Sequence, residues 1–215
     1  AMIAHGRGEA FDYLLGERTT DSARRAARQA LATLQAAERP VLSINGNVAA
    51  LAADEMLRLA DVLACPVEVN IFYRTPERME AILGHLNERN AALGLDVAIL
   101  GDAPDASIPG LKGPRAACHR EGILESDAIL VPLEDGDRCN ALVAMGKKVI
   151  VIDLNPLSRS AQQGSITIVD ELSRALNTML AMATEEGQQV VDPSYDHQAV
   201  LNEGLKEMLA SLSRP

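Results

Sequence analysis

Aromatic side chains are almost missing from this chain: among 215 residues there is no tryptophan, and two phenylalanines with three tyrosines make up 2%. The core must therefore be filled by Ala, Leu, Val and Ile, a composition that suits a parallel sheet covered by helices. Cysteine is also scarce. Cys65, Cys118 and Cys139 are widely spaced and form no C-x-x-C pair, which excludes a disulfide framework and a structural zinc site and fits reduced thiols in a cytoplasmic protein. Positive charge is in deficit, with 20 Lys and Arg against 30 Asp and Glu and a net charge of -10. Phosphate neutralisation over a whole face needs clustered cations, so a nucleic-acid surface is excluded. No apolar run approaches the roughly 18 to 20 residues of a membrane span, and no basic start precedes an apolar stretch as in a signal peptide. The sequence thus predicts a cytoplasmic protein that engages neither membrane nor nucleic acid.

What remains is a chain rich in small aliphatic residues, long enough for one domain over residues 1–215. Its pattern alternates between helix and strand. Ser22 to Glu38 carries apolar residues at helical spacing behind Asp21 as a cap, and Pro40 to Ile44 reads as a strand. Ala50 to Leu63 is expected to be helical and Val67 to Phe72 extended. Thr75 to Asn90 opens as a helix with Pro76 in its first turn. Val97 to Leu100 reads as a strand, followed by an aperiodic stretch from Gly101 to Gly122 rich in Gly, Pro, Asp and Ser, of the kind that borders a site. Ala128 to Val131, Val149 to Ile152 and Ser165 to Val169 complete about six strands, and Asp170 is placed to cap a helix from Leu172 to about Thr184. Residues 185–197 read as a linker and 198–213 as a C-terminal helix, with an apolar stripe from Ala199 to Leu212. The expected fold is α/β: a Rossmann-like, doubly wound, mainly parallel sheet of about six strands with helices on both faces. Ala1-Met2 looks like an added start, and the chain begins almost inside a motif, so a segment upstream is expected to be missing.

The chemistry-bearing residues gather at strand ends, where ligands bind in open parallel sheets. Asn45-Gly46-Asn47 sits between a strand and a helix, where it presents amides and a helix start to an anion, or simply makes a turn. Phe72-Tyr73-Arg74 places two of the five aromatics beside a cation. Glu134-Asp135-Gly136-Asp137-Arg138 sets three carboxylates around a glycine, suited to magnesium, a ligand ammonium or hydroxyls, or to a solvated turn. Asp153-Leu154-Asn155 puts a carboxylate at a strand tip, as ribose hydroxyls require, and Arg159-Ser160 suits a phosphate. In Gly6-Arg7-Gly8 the guanidinium at a helix start either grips an anion or forms a local ion pair. The full G-x-G-x-x-G is lacking and no Walker A loop exists, which disfavours a nicotinamide-dependent oxidoreductase.

Taken together, these segments resemble the archaeal phosphopantothenate synthetase (4-phosphopantoate:β-alanine ligase) family. The resemblance rests on Ile3 to Leu14, Asn45 to Leu51, Phe72 to Thr75, Ile108 to Leu111, Val131 to Arg138 and Ile152 to Arg159, and covers residues 3 to about 180. It implies a dimeric Rossmann-like ligase of archaeal coenzyme A biosynthesis that condenses 4-phosphopantoate with β-alanine using ATP and releases AMP and pyrophosphate. Nucleotide contacts are implied at Arg7, Asp153, Leu154, Asn155, Arg159, Ser160, Glu171 and Leu172. For the other substrates the expectation is Asn45, Gly46, Asn47, Tyr73, Arg74 and Glu134, with Asp135, Asp137 and Arg138 at the reacting centre and Mg2+ on the nucleotide. Two departures stand out. Cys139-Asn140 occupies the place of an expected Thr-Glu and Glu171 that of an Asn, the latter tolerable where contact runs through the backbone. A carboxylate donates its acyl group poorly because oxide would have to leave, so capture of the α-phosphate as a mixed anhydride is the required activation, and the enzyme's task is to position anions. The alternative is a non-catalytic nucleotide-binding or regulatory module on the same sheet.

Overall fold

A computed structural model describes residues 2–212, with side chains from residue 8 onward. In chain order the elements are α1 (Met2–Leu15), α2 (Asp21–Ala36), β1 (Pro40–Ile44), α3 (Gly46–Val62), β2 (Val67–Val69), α4 (Pro76–Ala92), β3 (Ile99–Leu100), β4 (Ala106–Ser107), β5 (Ala117–Cys118), β6 (Ala128–Pro132), α5 (Gly136–Ala144), β7 (Lys148–Ile152), α6 (Arg159–Gln163), β8 (Ile166–Ile168), α7 (Leu172–Ala181) and α8 (His197–Ser211). Six strands form one parallel sheet in the order β3-β2-β1-β6-β7-β8. With the β4-β5 hairpin set aside, that is the order 3-2-1-4-5-6 of a doubly wound dinucleotide-type sheet. The chain reverses its direction of travel between β1 and β6, and a crevice opens there at the strand ends.

Burial on both faces explains why the strands read as apolar runs rather than alternations. Leu42, Ile44, Val67, Val69, Leu130, Ile150, Ile152 and Ile168 face one layer, packed against residues of α2, α3, α4 and α7. Val41, Ile129, Val131, Val149 and Val151 face the other, against Cys139, Ala141 and Leu142 of α5 and against Ile108, Cys118 and Ile123. Ile108 and Cys118 belong to the stretch expected to be a loop, and Ile123 follows it directly. That stretch is instead a folded cover, with the antiparallel β4-β5 hairpin, a 3-10 turn at Pro114–Ala116 and a wide turn at Arg120–Leu124. A third cluster joins Leu15 of α1, Leu154, Val169 and Leu201 and Met208 of α8.

Several boundaries differ from the sequence reading for local reasons. Thr20, not Asp21, caps α2, because its hydroxyl accepts from Ala23 N. Helix α3 begins at Gly46 rather than Ala50, since Asn45 supplies the cap. Strand β2 ends at Val69, and Asn70 turns its side chain to the cover segment instead of continuing the ladder. Glu171, not Asp170, caps α7, and that helix gives way to a wide turn at Met182–Glu186.

The cover segment is fastened by a buried carboxylate. Glu68, 1% exposed on β2, accepts from His119 N at 2.9 Å and Ile123 N at 2.7 Å, and burial raises its pKa. A Cβ on Gly122 would stand 2.1 Å from its Oε2. Gly122→Ala is accordingly expected to destabilise the fold by about 1 to 3 kcal/mol, because a carboxylate held by two amides has nowhere to retreat. Urea denaturation would measure this, and an unchanged midpoint would show that the turn yields freely.

Candidate active site

Asn45 closes the crevice. Its Oδ1 accepts from Asn47 N at 2.9 Å and Val48 N at 3.1 Å, capping α3, while its Nδ2 donates to Pro132 O at 3.0 Å and Leu133 O at 3.2 Å. One side chain thereby ties the carboxyl ends of β1 and β6 together. Leu133 holds a positive φ of 52°, rare for a branched residue, and its N–H donates to Ile152 O at 3.0 Å at the end of β7.

Two cavities meet at this point. The larger, about 540 Å³, runs from Gly8 and Phe11 of α1 along Asp153, Leu154, Asn155 and Ser158 after β7 to Asp170, Glu171 and Leu172 after β8. Asn47, Leu133 and Glu134 form its inner end. Asp153 accepts from Asn155 N at 2.9 Å and from the hydroxyls of Ser158 and Ser160, and its burial raises its pKa. Ser160 also donates to Glu134 O at 3.0 Å, linking the β7 and β6 loops. At the far end buried Asp170, likewise raised by burial, accepts from Thr19 at 2.6 Å and from Arg174, which reaches on to Asp12 and anchors α1 across the cavity.

The smaller cavity, about 170 Å³, is lined by Asn45, Gly46, Asn47, Tyr73, Arg78, Arg115 and Leu133 among others. Asn47 and Leu133 are common to both. Arg78 extends from the first turn of α4 over Gly46, whose lack of a side chain admits it: a Cβ there would lie 3.1 Å from its Nη2. Among the described residues Arg78 has no ion-pair partner. Arg115 is heavily engaged instead, donating to Asn70 Oδ1 at 3.3 Å, Asp135 Oδ2 at 2.6 Å and Glu134 Oε2 at 3.0 Å.

Beneath both cavities lies a buried charge network. The side chains of Glu134 and Arg138 are 1% and 0% exposed and form an ion pair, and Arg138 also donates to Ser43 Oγ at 3.0 Å. Burial lowers the pKa of Arg138. Asp135 caps α5 by accepting from Arg138 N at 3.0 Å; burial opposes its ionisation, but that amide and Arg115 prevail and hold its pKa down.

The structure thus gathers Asp153, Leu154, Asn155, Glu171, Leu172 and Glu134 on one cavity, Asn45, Gly46 and Tyr73 on the other, and Asn47 on both. Ser160 lies behind Asp153. Asp137 and Arg159 pair at 2.7 Å in the open, just outside. Arg138 is sealed in the interior, and Arg74 turns to the carbonyls of Gly101 and Asp102. The side chain of Arg7 lies outside those described, and its backbone runs inside α1 rather than at a helix start. Arg78, Arg115, Phe11 and Leu133 were not named as site residues from the sequence. Phe11 and Leu133 lie within segments that carry the resemblance, and Arg78 carried a signal of its own, a cation one turn into a helix opened by Thr75-Pro76 at a strand's carboxyl end. Among the described residues no group of three or more His, Cys, Asp and Glu is placed to hold a metal ion, and no helix is long and apolar enough to cross a membrane.

Comparison with known proteins adds a family. The phosphopantothenate/pantothenate synthetase family matches residues 22–211. The 4-phosphopantoate--beta-alanine ligase of Methanosarcina mazei is 47% identical over 213 residues, 96% of this chain and 82% of that protein. That of Thermococcus onnurineus is 47% identical over 219 residues, covering 99% and 82%, and that of Thermococcus kodakarensis is 52% identical over 184 residues, covering 86% and 69%.

Proposed function

The chain belongs to the phosphopantothenate/pantothenate synthetase family, and on that premise we propose that it joins 4-phosphopantoate to β-alanine at the expense of ATP, through an acyl-adenylate, as one domain spanning residues 1–215. The observation that carries this reading is the pair of cavities sharing Asn47 and Leu133 at the reversal point of the sheet. One is large and bordered by a strand-end carboxylate, as a nucleoside needs. The other is small, cationic and set at the start of α3, as a phosphorylated acid needs.

In this scheme the ribose hydroxyls of ATP meet Asp153, and the base lies against Phe11 and Leu154. Arg159 stands at the open rim, where the triphosphate leaves the cavity, and Arg7 is assigned to the nucleotide from the family resemblance alone. Contacts at Glu171 and Leu172 run through the backbone. Arg78 takes the phosphate of phosphopantoate. Its carboxylate oxygen attacks the α-phosphorus, and the bond to pyrophosphate breaks with its electron pair. The amine of β-alanine then attacks the acyl carbon, AMP departs with the bonding pair, and the nitrogen loses a proton. Asp135 has its pKa held down, which makes it a weak base but a constant anion, suited to orienting the ammonium of β-alanine. Magnesium, for which no carboxylate cluster is placed among the described residues, is assigned to the phosphates of the nucleotide. The reading includes a cytoplasmic homodimer, supported by Phe72 and Tyr73, exposed and packed edge to face with centroids 4.9 Å apart.

A non-catalytic nucleotide-binding module would use the larger cavity and leave the second without purpose. Product analysis separates the two. With all three substrates the protein is expected to yield AMP and pyrophosphate, and phosphopantoate alone should support pyrophosphate exchange into ATP. ADP and phosphate as products would overturn the adenylate, and no turnover at all would favour the module.

A further inference from the structure

Of the two residues common to both cavities, Leu133 is the one held at positive φ, and no other non-glycine residue described in either lining is. Leu133 has a positive φ of 52°, and its chain is pinned by three bonds from the ends of two neighbouring strands: its N–H by Ile152 O, its C=O by Asn45, and the preceding Pro132 O by the same Asn45 amide. Glycine would adopt this φ without strain, yet the position carries a branched apolar side chain. That side chain lines both cavities and packs against the main core. The rest of the shared wall is polar, formed by Asn47, and Glu134 follows immediately.

We propose that Leu133 is a water-excluding partition at the reacting centre, which keeps the activated acyl group for the amine. This rests on the activated-acyl reading above. In that scheme the mixed anhydride forms where the cavities meet, beside Leu133. Water competes with the amine there: its oxygen attacks the acyl carbon, AMP leaves with the bonding pair, a proton is released, and phosphopantoate is regenerated with ATP spent. An apolar side chain held at this point by the ends of two neighbouring strands denies water the hydrogen bonds it needs to stay in line. Local strain persists only where the surroundings over-determine it, and here the surrounding bonds do so at the junction itself.

The test is stoichiometry. Nucleotide cleaved per amide formed, at saturating β-alanine, is expected to be one for the parent and to rise to about two or more in Leu133→Ala and Leu133→Gly, with Leu133→Met close to the parent. A ratio of one in the folded small variants would overturn the partition. Leu133→Gly relieves the positive φ, so it keeps the measurement possible should Leu133→Ala not fold; failure of both to fold would also overturn the proposal by making Leu133 a structural residue. The ratio counts whichever nucleotide product appears. ADP from the parent would therefore contradict the adenylate reading separately, while the partition would still stand or fall on the ratio.

Discussion

Replacing Glu134 by alanine is expected to destabilise the fold by about 3 to 5 kcal/mol, because it leaves the fully buried Arg138 guanidinium without its counter-charge. Among the described residues Ser43 is the one other side chain hydrogen-bonded to Arg138, and its hydroxyl is neutral. Arg115 would lose a partner at the same time. The opposite change, Arg138→Met, also strands a carboxylate, but Glu134 keeps Arg115 and the Asp135 amide, so its penalty should be smaller. Urea denaturation of both variants measures the order. Equal losses would mean that the network is shared evenly, and a loss below about 1 kcal/mol for Glu134→Ala would mean that water reaches Arg138.

Arg78→Ala is expected to raise the KM for phosphopantoate roughly 10- to 150-fold, the equivalent of about 1.5 to 3 kcal/mol for a lost charge-assisted bond. The KM for ATP should hardly move. The residue is exposed and without an ion-pair partner among those described, so the fold should be as stable as the parent. Arg78→Lys should recover only part of the loss, since a point charge does not reproduce the planar fork. Equal changes in both KM values would place Arg78 on the nucleotide instead.

The parallel α/β sheet, the strand-end crevice and the turns around Asn45 and Asp153 were legible in the sequence because each depends on neighbours along the chain: an apolar run followed at once by a turn-forming polar side chain. The cover over the second sheet face was not. Its strands are two residues long, and what folds it is the reach of buried Glu68 on β2 and Asn70 just after it across some 50 positions, to His119, Ile123 and Ala117. Arg115 was hidden for the same reason, as it enters the site on that cover. Arg138 was read as a ligand-facing cation, although it pairs with Glu134, which lies just before the cap of α5 and turns back onto the first turn of that helix. Nothing local distinguishes such a pair turned inward from one turned to the cavity. The family resemblance, by contrast, was carried by long ordered segments and agrees with the match to residues 22–211.

The central claim is that the acid is activated on the α-phosphorus of ATP, and following an oxygen label tests it most directly. When 4-phosphopantoate labelled with heavy oxygen in its carboxylate is converted with ATP and β-alanine, one labelled atom should appear in the phosphate of AMP. Label in inorganic phosphate would mean activation at the γ-phosphorus, and label released to water alone would mean that no mixed anhydride with the nucleotide forms.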